Sequence, residues 1–140
     1  MAEMRFREER YELIGRDLIA TEPELEYIRN SDVQIAFLAS DNPKKSKGKL
    51  VFGECEKVPP KYRWCIREDF TITVFEPNVE HFTEEQYKML IFHELLHIGI
   101  EPGENEETYS IRPHDLEDFR IIIDRYGTNW GGDVPEGQTA

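Results

Sequence analysis

The segment His93-Glu94-Leu95-Leu96-His97 carries the residue types and spacing of metal-assisted hydrolysis. Two imidazoles four residues apart on a helix share one face, one turn from each other. At that spacing both reach a single Zn²⁺ at about 2.0–2.1 Å. Glu94 projects about 100° round the helix from His93, so it lies beside the metal rather than among its ligands. A carboxylate there can take a proton from water and pass it to a leaving amine, while zinc acidifies the water and polarises the carbonyl. The plain alternative is a buried structural helix. Leu90, Ile91, Phe92, Leu95, Leu96 and Ile98 make the segment apolar nearly all round, which marks burial. Two histidines and a glutamate inside such a helix each need partners, and metal ligation supplies them together.

A third ligand must come from another part of the chain. An extension of the motif would need glycine at 100 and histidine at 103, where the chain has Ile100 and Gly103. Downstream candidates are Glu101, Glu104, Glu106, Glu107, His114, Asp115 and Glu117; His114 is the one histidine among them and is favoured, imidazole being a common zinc ligand. The glutamates of 101–107 read as a solvated loop over the site, or else as ligands of a second cation. His81 reads as a solvated turn residue. Tyr109 reads equally as a packing residue and as an oxyanion donor. Lys44, Lys45, Lys47 and Lys49 form a local basic cluster, first a solvated hairpin loop and second a contact for an acidic substrate or nucleic acid.

The elements that must hold these residues follow from periodicity. Phe6–Ala20 has Tyr11, Leu13, Ile14 and Leu18 at helical spacing, and Thr21-Glu22-Pro23 ends it. A short helical piece runs from Pro23 to Ile28. Val33–Ala39, Leu50–Glu56 and Phe70–Phe75 read as strands, and Tyr62–Ile66 as a short edge piece. Thr83 caps the central helix, with Gln86 completing a capping box and Phe82 and Tyr87 a hydrophobic staple. That helix should run to about Ile98, with Gly99 as its left-handed stop. A loop over 99–113 then reverses the chain into a last helix, His114–Tyr126. The order implies an α+β fold: a small mixed or antiparallel sheet of three to four strands, an N-terminal helix, the buried central helix and a C-terminal helix. Residues 1–127 read as one domain and 128–140 as a flexible tail. Either Leu50–Glu56 or Phe70–Phe75 can supply the edge along which an extended substrate lies.

The chain has 140 residues, 39% hydrophobic and 33% charged, with a formal net charge of −12. That composition is globular, and the acidic surface argues against direct nucleic-acid binding. No apolar run near the N-terminus reads as a secretory signal and none is long enough to span a membrane. Cys55 and Cys65 fit neither a redox pair nor a zinc ribbon and read as free thiols in a reducing cytoplasm.

His93-Glu94-Leu95-Leu96-His97-Ile98-Gly99, followed by Ile111-Arg112-Pro113-His114-Asp115-Leu116-Glu117-Asp118-Phe119 and Arg125-Tyr126-Gly127, resembles the putative phage metallopeptidase family. This is a compact zincin group related to SprT-like proteins and found in phages, prophages and bacteria. The resemblance extends to the first helix, the 45–49 loop and the strand before the central helix. It implies a zinc-dependent peptidase, with ligands matching His93, His97 and His114 and an acid/base matching Glu94. A protein or peptide would be the substrate. SprT-like relatives are linked to DNA-associated substrates through basic or separate DNA-binding segments; this chain has no such DNA-binding segment and its net charge is acidic, which argues against a DNA role. The competing expectation is a non-catalytic, zinc-stabilised binding module, whose metal would be closed by four protein ligands.

Overall fold

The structure is a computed structural model and describes residues 3–113. The expected helix over 114–126 and the tail behind it lie outside the described residues. A four-stranded sheet runs in the order β1-β2-β6-β5, with β1 Arg5–Arg7, β2 Ile35–Ser40, β5 Gly53–Lys57 and β6 Phe70–Phe75. β2 and β6 are parallel, from Ile35 opposite Phe70 to Ser40 opposite Phe75. β1 and β5 flank them antiparallel. The fold is therefore α+β with a mixed sheet, as the element order implied.

β6 is one of the two interior strands, and every residue of it but Thr71 is buried. Both of its faces are covered, the one carrying Phe70, Ile72 and Val74 and the one carrying Thr73 and Phe75. Helices α1 (Glu9–Thr21) and α3 (Glu84–Leu95) meet at the rings of Tyr11 and Tyr87, 6.0 Å apart. Leu90, Ile91 and Leu95 of α3 join Phe37, Phe70, Ile72 and Val74 of the sheet in one apolar core. The start of α3 is as expected: Thr83 accepts from the Gln86 N–H, the Gln86 side chain accepts from the Thr83 N–H, and Phe82 lies 5.7 Å from Tyr87.

Several expected elements differ. Arg5–Arg7 is a strand rather than the start of the first helix: it pairs with β2, and Glu8 caps α1 by accepting from the Arg10 N–H. The piece after Pro23 splits into a 3-10 turn, Pro23–Leu25, and α2, Glu26–Arg29. The expected strand over 50–56 is two strands. β3 (Lys44–Ser46) and β4 (Lys49–Val51) form a hairpin of their own, and β5 begins only after the buried Phe52. The turn residues Lys47 and Gly48 have φ of 53° and 78°, the signs a two-residue type I′ turn requires. Tyr62–Ile66 is no strand. The N–H groups of Cys65 and Ile66 both donate to the Tyr62 carbonyl, coiling the segment into turns.

The end of α3 also differs. The helix stops at Leu95, not Ile98, because Ile98 enters β7 (Ile98–Glu101), which pairs with β8 (Thr108–Ile111). What read as a loop over 99–113 is largely this hairpin. Gly99 is consequently not a left-handed cap. A Cβ there would stand 2.5 Å from the Ser110 Oγ and 3.1 Å from the Ser110 carbonyl oxygen, so glycine suits the close approach of β8.

Candidate metal centre

His93 occupies the last turn of α3 and is 1% exposed; Glu94 beside it is 3% exposed. His97 lies two residues past the helix. Its geometry nonetheless stays helical, since the Leu96 N–H donates to the Phe92 carbonyl and the His97 N–H closes a tighter turn onto Glu94. The i, i+4 relation therefore survives the helix end. The two imidazoles stand 5.1 Å apart, and one donor atom from each of His93, Glu94 and His97 lies within 4.8 Å of the others. The Glu94 carboxylate approaches the His93 Nε2 at 3.9 Å.

The β7–β8 hairpin orients His97. Its Nδ1 lies 2.7 Å from the Arg112 carbonyl, and the Arg112 N–H donates to the His97 carbonyl at 2.6 Å. A carbonyl oxygen only accepts, so Nδ1 carries the proton and Nε2 the lone pair in the neutral ring. A metal-binding histidine needs its second nitrogen fixed in this way. Pro113 favours extended backbone at Arg112, which suits the strand-like approach. Tyr27 of α2 reinforces the junction by donating to the Ile98 carbonyl at 2.7 Å, while the Arg112 guanidinium lies over its ring. Burial raises the Tyr27 phenol above its ordinary range, against the opposing effect of Arg112. It stays a donor at neutral pH.

The cluster opens into a cavity of about 460 Å³. Gly53 and Cys55 of β5 form one wall, Ile111 of β8 borders it, and Lys47 and Lys49 of the β3–β4 hairpin stand at its rim. Gly53 lets β5 approach α3: a Cβ there would meet the Thr73 carbonyl at 3.1 Å, Leu90 Cδ1 at 3.3 Å and Glu94 Cγ at 3.5 Å. Burial pushes the Cys55 thiol well above its ordinary range, and Glu94, Glu56 and Glu54 add to the effect. It lines the wall beside Glu94. Of the two strands that could border the substrate, β6 is interior and β5 is the edge.

Other residues singled out in the sequence fall elsewhere. His114, Asp115 and Glu117 lie outside the described residues. Among the described residues, no carboxylate of 101–107 joins the cluster. Glu107 instead accepts from the Asp32 N–H and the Tyr109 hydroxyl. Tyr109 packs edge-on against Phe70 and faces a separate cavity with Lys57 and Arg63, and burial and Glu107 raise its phenol to about 12. His81 is exposed and meets Phe82 edge to face. The roles of Tyr27, Gly53 and the Arg112 carbonyl were not foreseen. Pro113 and the glycine inside a strand were the available signals.

Two imidazoles converging on a cavity, with a carboxylate beside them, suit a divalent transition metal, zinc among them. Fold and site together define an α+β domain with a candidate metal centre at the end of its buried helix. The chain belongs to the putative phage metallopeptidase family, whose model matches residues 4–136. No curated protein and no solved structure matches it. Among the described residues no helix is long and apolar enough to cross a membrane.

Proposed function

We propose that the chain is a zinc-dependent peptidase, in which His93, His97 and His114 hold the metal and Glu94 is the general base and then the general acid. The observation that carries this reading is the convergence of His93, Glu94 and His97 on a cavity walled by the sheet's edge strand. Zinc, when bound, polarises the scissile carbonyl and acidifies water. Glu94 would take a proton from a water whose oxygen bonds to the scissile carbonyl carbon, and deliver it to the amine nitrogen as the C–N bond breaks. The backbone of β5 offers hydrogen bonds to an extended peptide laid alongside it, as sheet edges do. The apolar packing of Leu90 and Leu95 holds the helix end rigid, and the Arg112 carbonyl keeps the His97 ring in one tautomer. Among the described residues no fourth protein group joins His93, Glu94 and His97, which supports this reading over a closed, purely structural site.

The test is Glu94→Gln on zinc-loaded protein, assayed with a peptide library and by elemental analysis. The expected result is about one zinc per chain, as in wild type, with cleavage lowered at least about a hundredfold. Cleavage at the wild-type rate would overturn the mechanism. Full zinc retention in His114→Ala would move the third ligand to another residue.

A further inference from the structure

We infer that the β3–β4 hairpin is a specificity element that selects peptides with an acidic side chain near the scissile bond. This rests on the peptidase reading of the same cavity. The chain has a net charge of −12, yet the hairpin carries Lys44, Lys45, Lys47 and Lys49 within six residues. Lys44 is engaged, paired with Glu54 and lying over the Phe75 ring. Lys45, Lys47 and Lys49 are exposed, and among the described residues none of them forms an ion pair. Lys47 and Lys49 line the cavity that holds His93, Glu94 and His97. The acid on that side of the cavity, Glu54, is neutralised by Arg5 and Lys44. Among the described residues, the rim on this side of the site is therefore cationic.

One further observation separates this hairpin from an ordinary solvated loop: it is pinned. The buried Asn78 amide donates to the Lys44 carbonyl at 2.9 Å and to the Val51 carbonyl at 2.8 Å, tying both strands to the segment that leads into α3. The lysines are thus held at a set place relative to the helix. One or two substrate carboxylates match two or three lysines, whereas a long polyanion would meet the repulsion of the acidic remainder.

The experiment compares two peptides that differ only in Glu against Gln beside the cleaved bond. Binding is measured by calorimetry on zinc-loaded Glu94→Gln protein, and cleavage on wild type. The acidic peptide should bind about five- to tenfold more tightly, lose most of that advantage in rising salt, and lose it wholly in the Lys47→Asn/Lys49→Gln background. Lys47→Asn should melt no lower than wild type, because asparagine suits the turn. Equal affinity for both peptides, or an acidic preference that survives the double substitution, would overturn the inference. So would a single-stranded oligonucleotide that outcompetes the acidic peptide through the same lysines. If wild type cleaves both peptides equally, hydrolysis stands and the specificity falls. If the lysine-dependent preference appears in binding but nothing is cleaved, the hairpin stands and the hydrolytic reading falls.

Discussion

Replacing Asn78 tests whether the lysine hairpin is held by one buried amide. Asn78 is 5% exposed, and both hydrogens of its Nδ2 are used, one on each hairpin strand. A neutral hydrogen bond contributes about 1 kcal/mol net, and a stranded acceptor costs about 1–3 kcal/mol where water cannot reach it. Lys44 and Val51 are half-buried, so part of that cost is recovered from solvent. Asn78→Ala should therefore lose about 2–3 kcal/mol, which for a chain of this size lowers Tm by about 10 °C. Asn78→Asp is nearly isosteric but, when ionised, presents only acceptors to two carbonyls, so it should be worse than alanine at neutral pH. The introduced carboxyl would have a folded-state pKa above its unfolded value of about 3.9. Its penalty is then fully present above the folded pKa and is relieved as pH falls through it, when the protonated group can donate once. Thermal melts across pH, read by circular dichroism, measure all of this. A loss under about 0.5 kcal/mol for alanine, or Asn78→Asp as stable as wild type at neutral pH, would refute the clamp.

Two further outcomes follow from the geometry. Cys65 is exposed, while burial and three carboxylates raise the Cys55 thiol, so iodoacetamide should label Cys65 at least about tenfold faster; mass spectrometry showing equal labelling would contradict the placement of β5 against α3. Burial alone would raise the Glu54 carboxyl, but hydrogen bonds and charge from Lys44 and Arg5 outweigh it and hold the group below its usual value, whereas burial and Glu54 push Glu56 up. Because the Glu54 value is depressed in the fold, its stabilisation is present above 4.5 and is lost as pH falls through the depressed value. The Tm gap between wild type and Glu54→Gln should close on acidification, and a gap independent of pH would count against the Arg5–Glu54–Lys44 cluster.

Local signals made much of this protein legible in advance. The capping box at Thr83 and Gln86 and the staple of Phe82 on Tyr87 are interactions between residues a few positions apart, so sequence order alone brings them together. The convergence of His93, Glu94 and His97 is equally local, being one helical turn, and it survived although the helix ends earlier than its apolar pattern implies. Phe70–Phe75 stood out as a strand because its β-branched and aromatic residues are bounded by turn formers. The α+β class followed from the order of such elements.

Pairing between distant segments decided the rest. Whether β5 or β6 is the sheet's edge depends on which strands β2 and β6 choose as neighbours, and period-two patterning marks a strand without ranking it in a sheet. Arg5–Arg7 is a strand because β2 is there to pair with it; three residues have no stable structure of their own. Gly99 looked like a helix stop and is a strand residue because β8 passes within reach of its missing side chain. The Arg112 carbonyl fixes the His97 tautomer across fifteen residues, and the Asn78 amide gathers two hairpin strands from twenty-seven and thirty-four residues away. The sequence alone brought His93, Glu94 and His97 together, since one helical turn is enough to place them side by side. The cavity wall, the cationic rim and the oriented imidazole required the folded chain, because each is a contact between groups whose separation along the backbone says nothing about their distance in space.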